Sequence, residues 1–288
     1  MAHTLIIGDY TYSSWSLRGW LMLHRFGIPF QPKLVEFNVD SVANQLAQHA
    51  PARTVPTLIT DSGDVVWDSL AIAEELATRH PEAGIWPKDA SLRCLARNLA
   101  AEMHSGYFSL RDDCPMNLSV AYEGFTPSEA TQTDLARIDQ VWTHALERSG
   151  GPWLCGEYSA ADAFFAPVAA RIAGYGLDVS PASQTYVAGH LADPAFRRWR
   201  ALGEARAVAL PWYARDFDTV AWPGPKPLPS AIVETGSAEN ASCPYSGKPA
   251  TFLFEVNGRT FGVCNATCRA KTVADPEAWP EFMALLGS

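Results

Sequence analysis

The sequence predicts an α/β domain followed by an all-α domain, with a small α+β hairpin-helix appendage at the end. Three observations predict this. Up to about residue 80 the apolar pattern runs strand, helix, strand, then strand, strand, helix. From about Ser91 the strand signals vanish and helical periodicity takes over. Four alternating prolines in residues 222–229 then interrupt the chain before a last, cysteine-containing segment. At 288 residues the chain is too long for one average core and suits two domains plus a small third. The boundaries drawn are 1–82, 88–217, a proline-rich linker over 218–238, and the appendage over 239–288.

Residues 4–8 read as a short buried strand. Apolar positions 17, 20, 21, 23 and 26 recur at helical spacing, with Gly27 at the expected C-cap and Pro29 just beyond. Residues 33–39 alternate as a second strand. Residues 57–60 and 64–67 flank Asp61-Ser62-Gly63, a hairpin signal. Ser69 to Arg79 is amphipathic and stops before Pro81. This order gives a four-stranded mixed sheet flanked by helices, with a right-handed crossover. Residues 91–110, 127–149, 160–174 and 194–206 have helical periodicity. Ser159 and Asp162 open one of these helices as a variant capping box, Asp replacing the usual Glu or Gln. The alternating prolines cannot continue a helix or a central strand, and make a stiff span of about 25 Å at roughly 3.1 Å per residue.

Composition excludes several classes. Hydrophobic residues make up 48% and ten are Trp, so a large core is expected. No apolar run reaches the roughly 18 residues a membrane helix needs. The first residues read as a strand with neither a basic start nor a long apolar stretch, so a cytoplasmic protein without a secretory signal is expected. Six irregularly spaced cysteines are no disulfide scaffold. A net charge of −9 without a long basic run argues against a nucleic-acid or anionic-membrane surface.

Three features of the first domain carry chemistry. Tyr12-Ser13-Ser14-Trp15-Ser16 lies between the first strand and first helix, where unsatisfied N–H groups and the helix dipole stabilise an anion. A serine hydroxyl there can donate to a bound thiolate. Arg53-Thr54-Val55-Pro56 opens a buried strand, and a cis bond before Pro56 presents the Val55 backbone for peptide pairing. Asp68 and Ser69 begin a helix: the acid suits an ammonium group, the N–H groups and hydroxyl a carboxylate. Each feature alone also reads as ordinary capping or a strand start.

Together they resemble the N-terminal domain of glutathione transferases, a thioredoxin-like fold, with the serine-type motif of the zeta class. A Val-Pro before a short strand, then an acid–Ser pair opening a helix, is that family's glutathione-binding pattern. Gly156, Ser159 and Asp162 resemble the capping motif of its helical domain. The resemblance covers roughly residues 4–215. It implies glutathione as co-substrate, homodimerisation, and Ser13 as hydroxyl donor to the sulfur, with Ser14 close behind. Val55 would pair with the peptide beside cis-Pro56, and Asp68 and Ser69 would hold the γ-glutamyl head. Arg53 or Thr54 stands where the family often has a lysine for the glycyl carboxylate. The electrophile side is expected from Trp15 and from His104, Tyr107 and Arg111, which sit at +3 and +4 steps on one helical face. Arg111 suits a carboxylate-bearing substrate, as in the related maleylacetoacetate isomerases. The implied activity is glutathione transfer to a small electrophile; the alternatives are a glutathione-dependent isomerase of the maleylacetoacetate type, or a non-catalytic glutathione- or metal-binding module.

In the last segment Cys243 precedes an alternating run, Asn257-Gly258 marks a hairpin turn, and Cys264 and Cys268 follow four residues apart. The arrangement is similar to YHS or TRASH-type metal-associated modules. Three thiols converge in this reading, with no His or Cys as a fourth zinc ligand. Soft-metal binding and a packed appendage without metal both stay open.

Overall fold

The N-terminal sheet is built around β1 (His3–Ile7), and α1 (Ser14–His24) follows it. The computed structural model describes residues 2–287. The chain continues through β2 (Phe30–Leu34), the short α2 (Val42–Gln45), β3 (Thr57–Ile59), β4 (Val65–Trp67) and α3 (Ser69–Arg79). The sheet order is β2-β1-β3-β4, with β1 parallel to β2 and the other pairs antiparallel. This is a thioredoxin-like sheet. The second strand lies a few residues earlier than the alternation at 33–39 predicts. Pro32 is tolerated there because β2 is an edge strand paired only with β1.

An all-α region follows: α4 (Ala90–Ser105), α5 (Phe108–Asp113), α6 (Glu129–Ser149), α7 (Ala160–Gly174) and α8 (Pro181–Ala192), with β5 (Ala121–Glu123) between α5 and α6. Fourteen of the fifteen residues of α7 are buried. A helix buried on every face belongs inside a core, and α7 packs against both α1 and α4. The Ser159–Asp162 capping box starts it. The helix expected over 91–110 is broken. Gly106 is extended, a Cβ there would meet the Glu102 carbonyl oxygen at 2.8 Å, and Tyr107 is left-handed at φ 57°.

The chain divides into two compact units, residues 1–191 with 210–223, and residues 192–209 with 224–288. The helix α9 (Pro194–Arg206) therefore belongs to the second unit, and the sequence boundary at 217 separates it from residues 224–288 of that unit. Residues 218–238 are not a plain linker either. β6 (Asp218–Val220) pairs with β5, and β7 (Ser230–Ile232) joins β8 (Phe252–Val256) and β9 (Arg259–Val263) in an antiparallel sheet. Pairing resumes once the prolines end. The Asn257-Gly258 turn has φ of 51° and 78°, the paired positive values of a tight hairpin. The chain closes with α10 (Ala266–Ala274) and α11 (Pro280–Leu286).

The second unit's core joins Phe254, Val256, Phe261, Val263, Trp279 and Phe282 to Ala201 of α9. Arg197 of α9 clamps Asp275 through two bonds of 2.7 and 2.8 Å and reaches Glu277 at 2.9 Å. Cutting the chain at about residue 220 thus strips α9 of its packing partners. Such a fragment is expected to be less soluble than one that also lacks 192–209, as sedimentation of the two would report.

Candidate functional site

The first helix begins where the candidate chemistry lies. Ser13 caps α1: its Oγ accepts from the Ser16 N–H at 3.4 Å and lies 2.8 Å from Ser16 Oγ, to which it donates. Ser16 Oγ in turn accepts from the Gly8 N–H at 2.9 Å, tying the cap to the end of β1. Ser14 Oγ accepts from Arg171 Nη2 at 3.4 Å. Both serines line a cavity of about 200 Å³ together with Tyr12, Trp15, Arg111 and Arg171.

Arg171 was not singled out from the sequence. Its signal was a lone cation in the apolar run of α7. It is buried, donates to the Cys114 carbonyl at 2.7 Å and the Pro167 carbonyl at 3.2 Å, and its acidity is raised to a pKa of about 10 by burial first and by Arg111 second. Arg18 was missed as well. It is 1% exposed, its Nε and Nη1 have no hydrogen-bond partner, and its guanidinium stacks on Trp15 at 4.2 Å. Burial pulls the Arg18 pKa far down, and Arg171 and Arg111 add to this by repulsion, with Asp68 opposing. Three cations thus crowd one region, and Asp112 on the pocket wall offsets only part of the charge at Arg111.

The other expected residues are distributed as follows. Trp15 and Arg111 line the cavity, the Arg111 guanidinium lying 4.8 Å from the Trp15 ring centre. His104 stands edge-on to Trp15 with ring centres 5.4 Å apart, and its Nε2 is 3.2 Å from Asp68 Oδ2. Tyr107 is not with them. The break at Gly106 turns it toward Glu102, to which its hydroxyl donates at 2.7 Å, so the three do not form one helical face. Burial, then the Glu102 bond, drives the Tyr107 pKa up.

The Val55–Pro56 peptide is cis, and Pro56 is buried at the start of β3 while Arg53 and Thr54 are exposed. Gly19 of α1 lies so close that a Cβ would meet Pro56 at 2.8 and 2.9 Å. Gly19→Ala is therefore expected to displace the Val55–Pro56 segment and cost about 1–3 kcal/mol, measurable by denaturant unfolding. Asp68 holds φ 79°, a strained value for a residue other than Gly, and caps α3 by accepting from Leu70 N–H at 2.8 Å. Beside it the buried Ser69 hydroxyl has no hydrogen-bond partner. Unsatisfied polar groups are rare in folded cores.

The family comparison agrees with this geometry. Residues 12–79, from the pocket's Tyr12 to the end of α3, match the family described as Glutathione S-transferase, N-terminal domain. That stretch of the chain is similar to a glutathione transferase N-terminal domain. A Caenorhabditis elegans protein named as a probable maleylacetoacetate isomerase is 28% identical to this chain over 177 residues, 61% of this chain and 82% of that one. Among solved structures, a glutathione transferase homologue from Burkholderia gl BGR1, with bound glutathione, is 24% identical with a TM-score of 0.53. The match covers 69% of this chain and 96% of that one. Glutathione transferase Omega 3C from Trametes versicolor is 19% identical with a TM-score of 0.54, covering 69% of this chain and 88% of its own. At these identities the two structures speak for the fold alone. Among the described residues no helix is long and apolar enough to cross a membrane.

In the second unit, considered by itself, the three C-terminal cysteines meet. The sulfurs of Cys243, Cys264 and Cys268 all lie within 4.8 Å of one another. Cys94, Cys114 and Cys155 are free thiols elsewhere, the last two buried.

Proposed function

We propose that this protein is a glutathione-dependent enzyme that adds the glutathione thiolate to a small, carboxylate-bearing electrophile. The observation that carries the reading is the pocket itself: the helix-capping Ser13 and its neighbour Ser14 beside Arg111 and Arg171, with two Arg18 nitrogens lacking hydrogen-bond partners close by. Buried cations that repel one another are relieved by an anion. The site has two ends for two anions, a thiolate at the α1 N-terminus and a carboxylate at the arginines.

In this reading Ser13 is the donor to the sulfur. Two hydroxyls 2.8 Å apart share one hydrogen bond, whose direction reverses when a better acceptor arrives. Ser16 then donates to Ser13, and Ser13 donates to the thiolate. Ser16, fully buried, is a positioning residue. The helix N-terminus and this bond lower the thiol pKa from about 8.5 toward neutrality. Val55 pairs with the peptide backbone, Arg53 or Thr54 meets the glycyl end, and Asp68 with Ser69 takes the α-amino-acid head. Trp15 and Arg111 wall the electrophile, which the pocket holds in reach of the sulfur.

A second reading, isomerisation of the maleylacetoacetate type, is favoured by the arginine cluster and by the name of the C. elegans relative. There the thiolate adds to an activated double bond, the resulting single bond rotates, and expulsion of the thiolate restores the alkene. Glutathione is then unconsumed, whereas conjugation consumes one equivalent, so glutathione titration after turnover separates the readings. Ser13→Ala is expected to cost about 1.5–3 kcal/mol in kcat/KM and Ser14→Ala less. The opposite ranking would assign the sulfur contact to Ser14.

A further inference from the structure

The second unit, taken alone, sets two half-buried thiols against each other at the start of a helix. Cys264 follows the last residue of β9 and stands just before Asn265, the N-cap of α10, while Cys268 sits in the first turn of that helix. Their sulfurs are 4.0 Å apart, and the Cys243 sulfur lies within 4.8 Å of both. Two polar groups aim at Cys264 Sγ: Ser246 Oγ donates to it at 3.2 Å and Asn265 Nδ2 at 3.3 Å. A sulfur that accepts two such bonds beside the positive end of a helix is favoured as thiolate. The same Asn265 accepts from the Cys268 N–H at 2.8 Å, so one side chain holds both cysteines in place. Ser246 is positioned by the tight turn that returns the Gly247 N–H to the Cys243 carbonyl at 2.9 Å. The Tyr245 hydroxyl, 2.5 Å from Thr272 Oγ1, fastens that turn to α10. Cys243 is 2% exposed and closed to a bulky reagent, whereas Cys264 and Cys268 are not.

We propose that Cys264 and Cys268 are a reversible dithiol–disulfide pair that exchanges with low-molecular-weight disulfides of the glutathione disulfide kind. The Cys264 thiolate attacks one sulfur of that disulfide. The old S–S bond breaks, a mixed disulfide forms on Cys264, and a glutathione thiolate leaves. Cys268 then gives its proton to solvent and attacks the Cys264 sulfur, and the second glutathione thiolate leaves. Two protein thiols are oxidised and one glutathione disulfide is reduced to two glutathione molecules, so no further oxidant enters. Closure from 4.0 Å to a bond of about 2.05 Å proceeds by side-chain rotation, with Cys264 outside the helical hydrogen-bond ladder. The chemistry is confined to the second unit and does not rest on the glutathione site of the first.

The test uses the full chain carrying Cys94→Ser, which removes an exposed thiol elsewhere, kept with a metal chelator and treated with glutathione disulfide. Mass spectrometry with peptide mapping is expected to show a Cys264–Cys268 bridge, two thiols lost, no retained adduct, and reversal by excess reduced glutathione. Cys268→Ser is expected to stop at one glutathionyl group on Cys264. Ser246→Ala is expected to slow bridge formation at least about 10-fold, the worth of one hydrogen bond to a charged group. Circular dichroism checks the fold of each variant, and the peptide map of the intact pair stands even where a variant does not fold. Thiols that all survive glutathione disulfide, a mixed disulfide that persists while Cys268 is present, a bridge to Cys243 in place of Cys268, or an unchanged rate in a folded Ser246→Ala variant would each overturn the assignment.

Discussion

Replacing Asp162 with alanine lowers the stability of the first unit by about 3–5 kcal/mol. The carboxylate is wholly buried and accepts from Leu154 N–H at 3.0 Å, Ser159 N–H at 2.9 Å, Ser159 Oγ at 3.1 Å and Tyr186 hydroxyl at 2.9 Å. Alanine leaves these donors without an acceptor in a region with no room for bulk water. Burial pushes the Asp162 carboxyl up to about 6 even though all four bonds favour its ionised form, so the group sits where removal is costly in either state. The melting temperature should fall by about 10 °C. Tyr186→Phe removes only one of the bonds and should cost about 1 kcal/mol. A melting temperature for Asp162→Ala within a degree or two of the parent would mean the capping box does not anchor α7.

Arg171→Met lowers kcat/KM for a carboxylate-bearing electrophile by about 100-fold, or about 2.7 kcal/mol, while a neutral aryl halide is conjugated nearly as before. Methionine replaces most of the buried volume but neither the charge nor the donors. The substitution also orphans the Cys114 carbonyl, so some loss of stability accompanies it. Stability loss would depress both substrates alike. The account requires the loss to follow the substrate's charge. Equal losses would make Arg171 a structural residue that holds α7 to the segment around Cys114.

How much of this was legible in the sequence depends on whether the signal was local. The helix over 69–79, the Ser159–Asp162 cap and the Asn257-Gly258 hairpin are set by neighbouring residues, and the structure has all three at the expected positions. The strand at 30–34 was displaced because edge pairing with β1 outweighs the alternation that follows. The short strands β5, β6 and β7 draw their stability from partners distant in sequence, so three residues alone could not announce them. The Tyr107 error has a single cause, the extended Gly106, which ends α4 inside a stretch of unbroken helical periodicity. In the candidate site, the serines, Val55–Pro56 and Asp68–Ser69 were readable as motifs. Arg18 and Arg171 were not, because a buried arginine inside an apolar helix resembles a surface charge until the packing of every face is known.

The account's central claim is that the α1 N-terminus holds the glutathione sulfur as a thiolate. Ultraviolet difference spectroscopy of the protein mixed with glutathione at neutral pH measures thiolate directly, and calorimetry on the same mixture measures binding. The account predicts thiolate absorbance that saturates at one glutathione per chain. It predicts that Ser13→Ala largely removes this absorbance while retaining most of the binding, which Asp68, Ser69 and Val55 provide. Glutathione that fails to bind, or that binds without a thiolate signal in the parent protein, would contradict it.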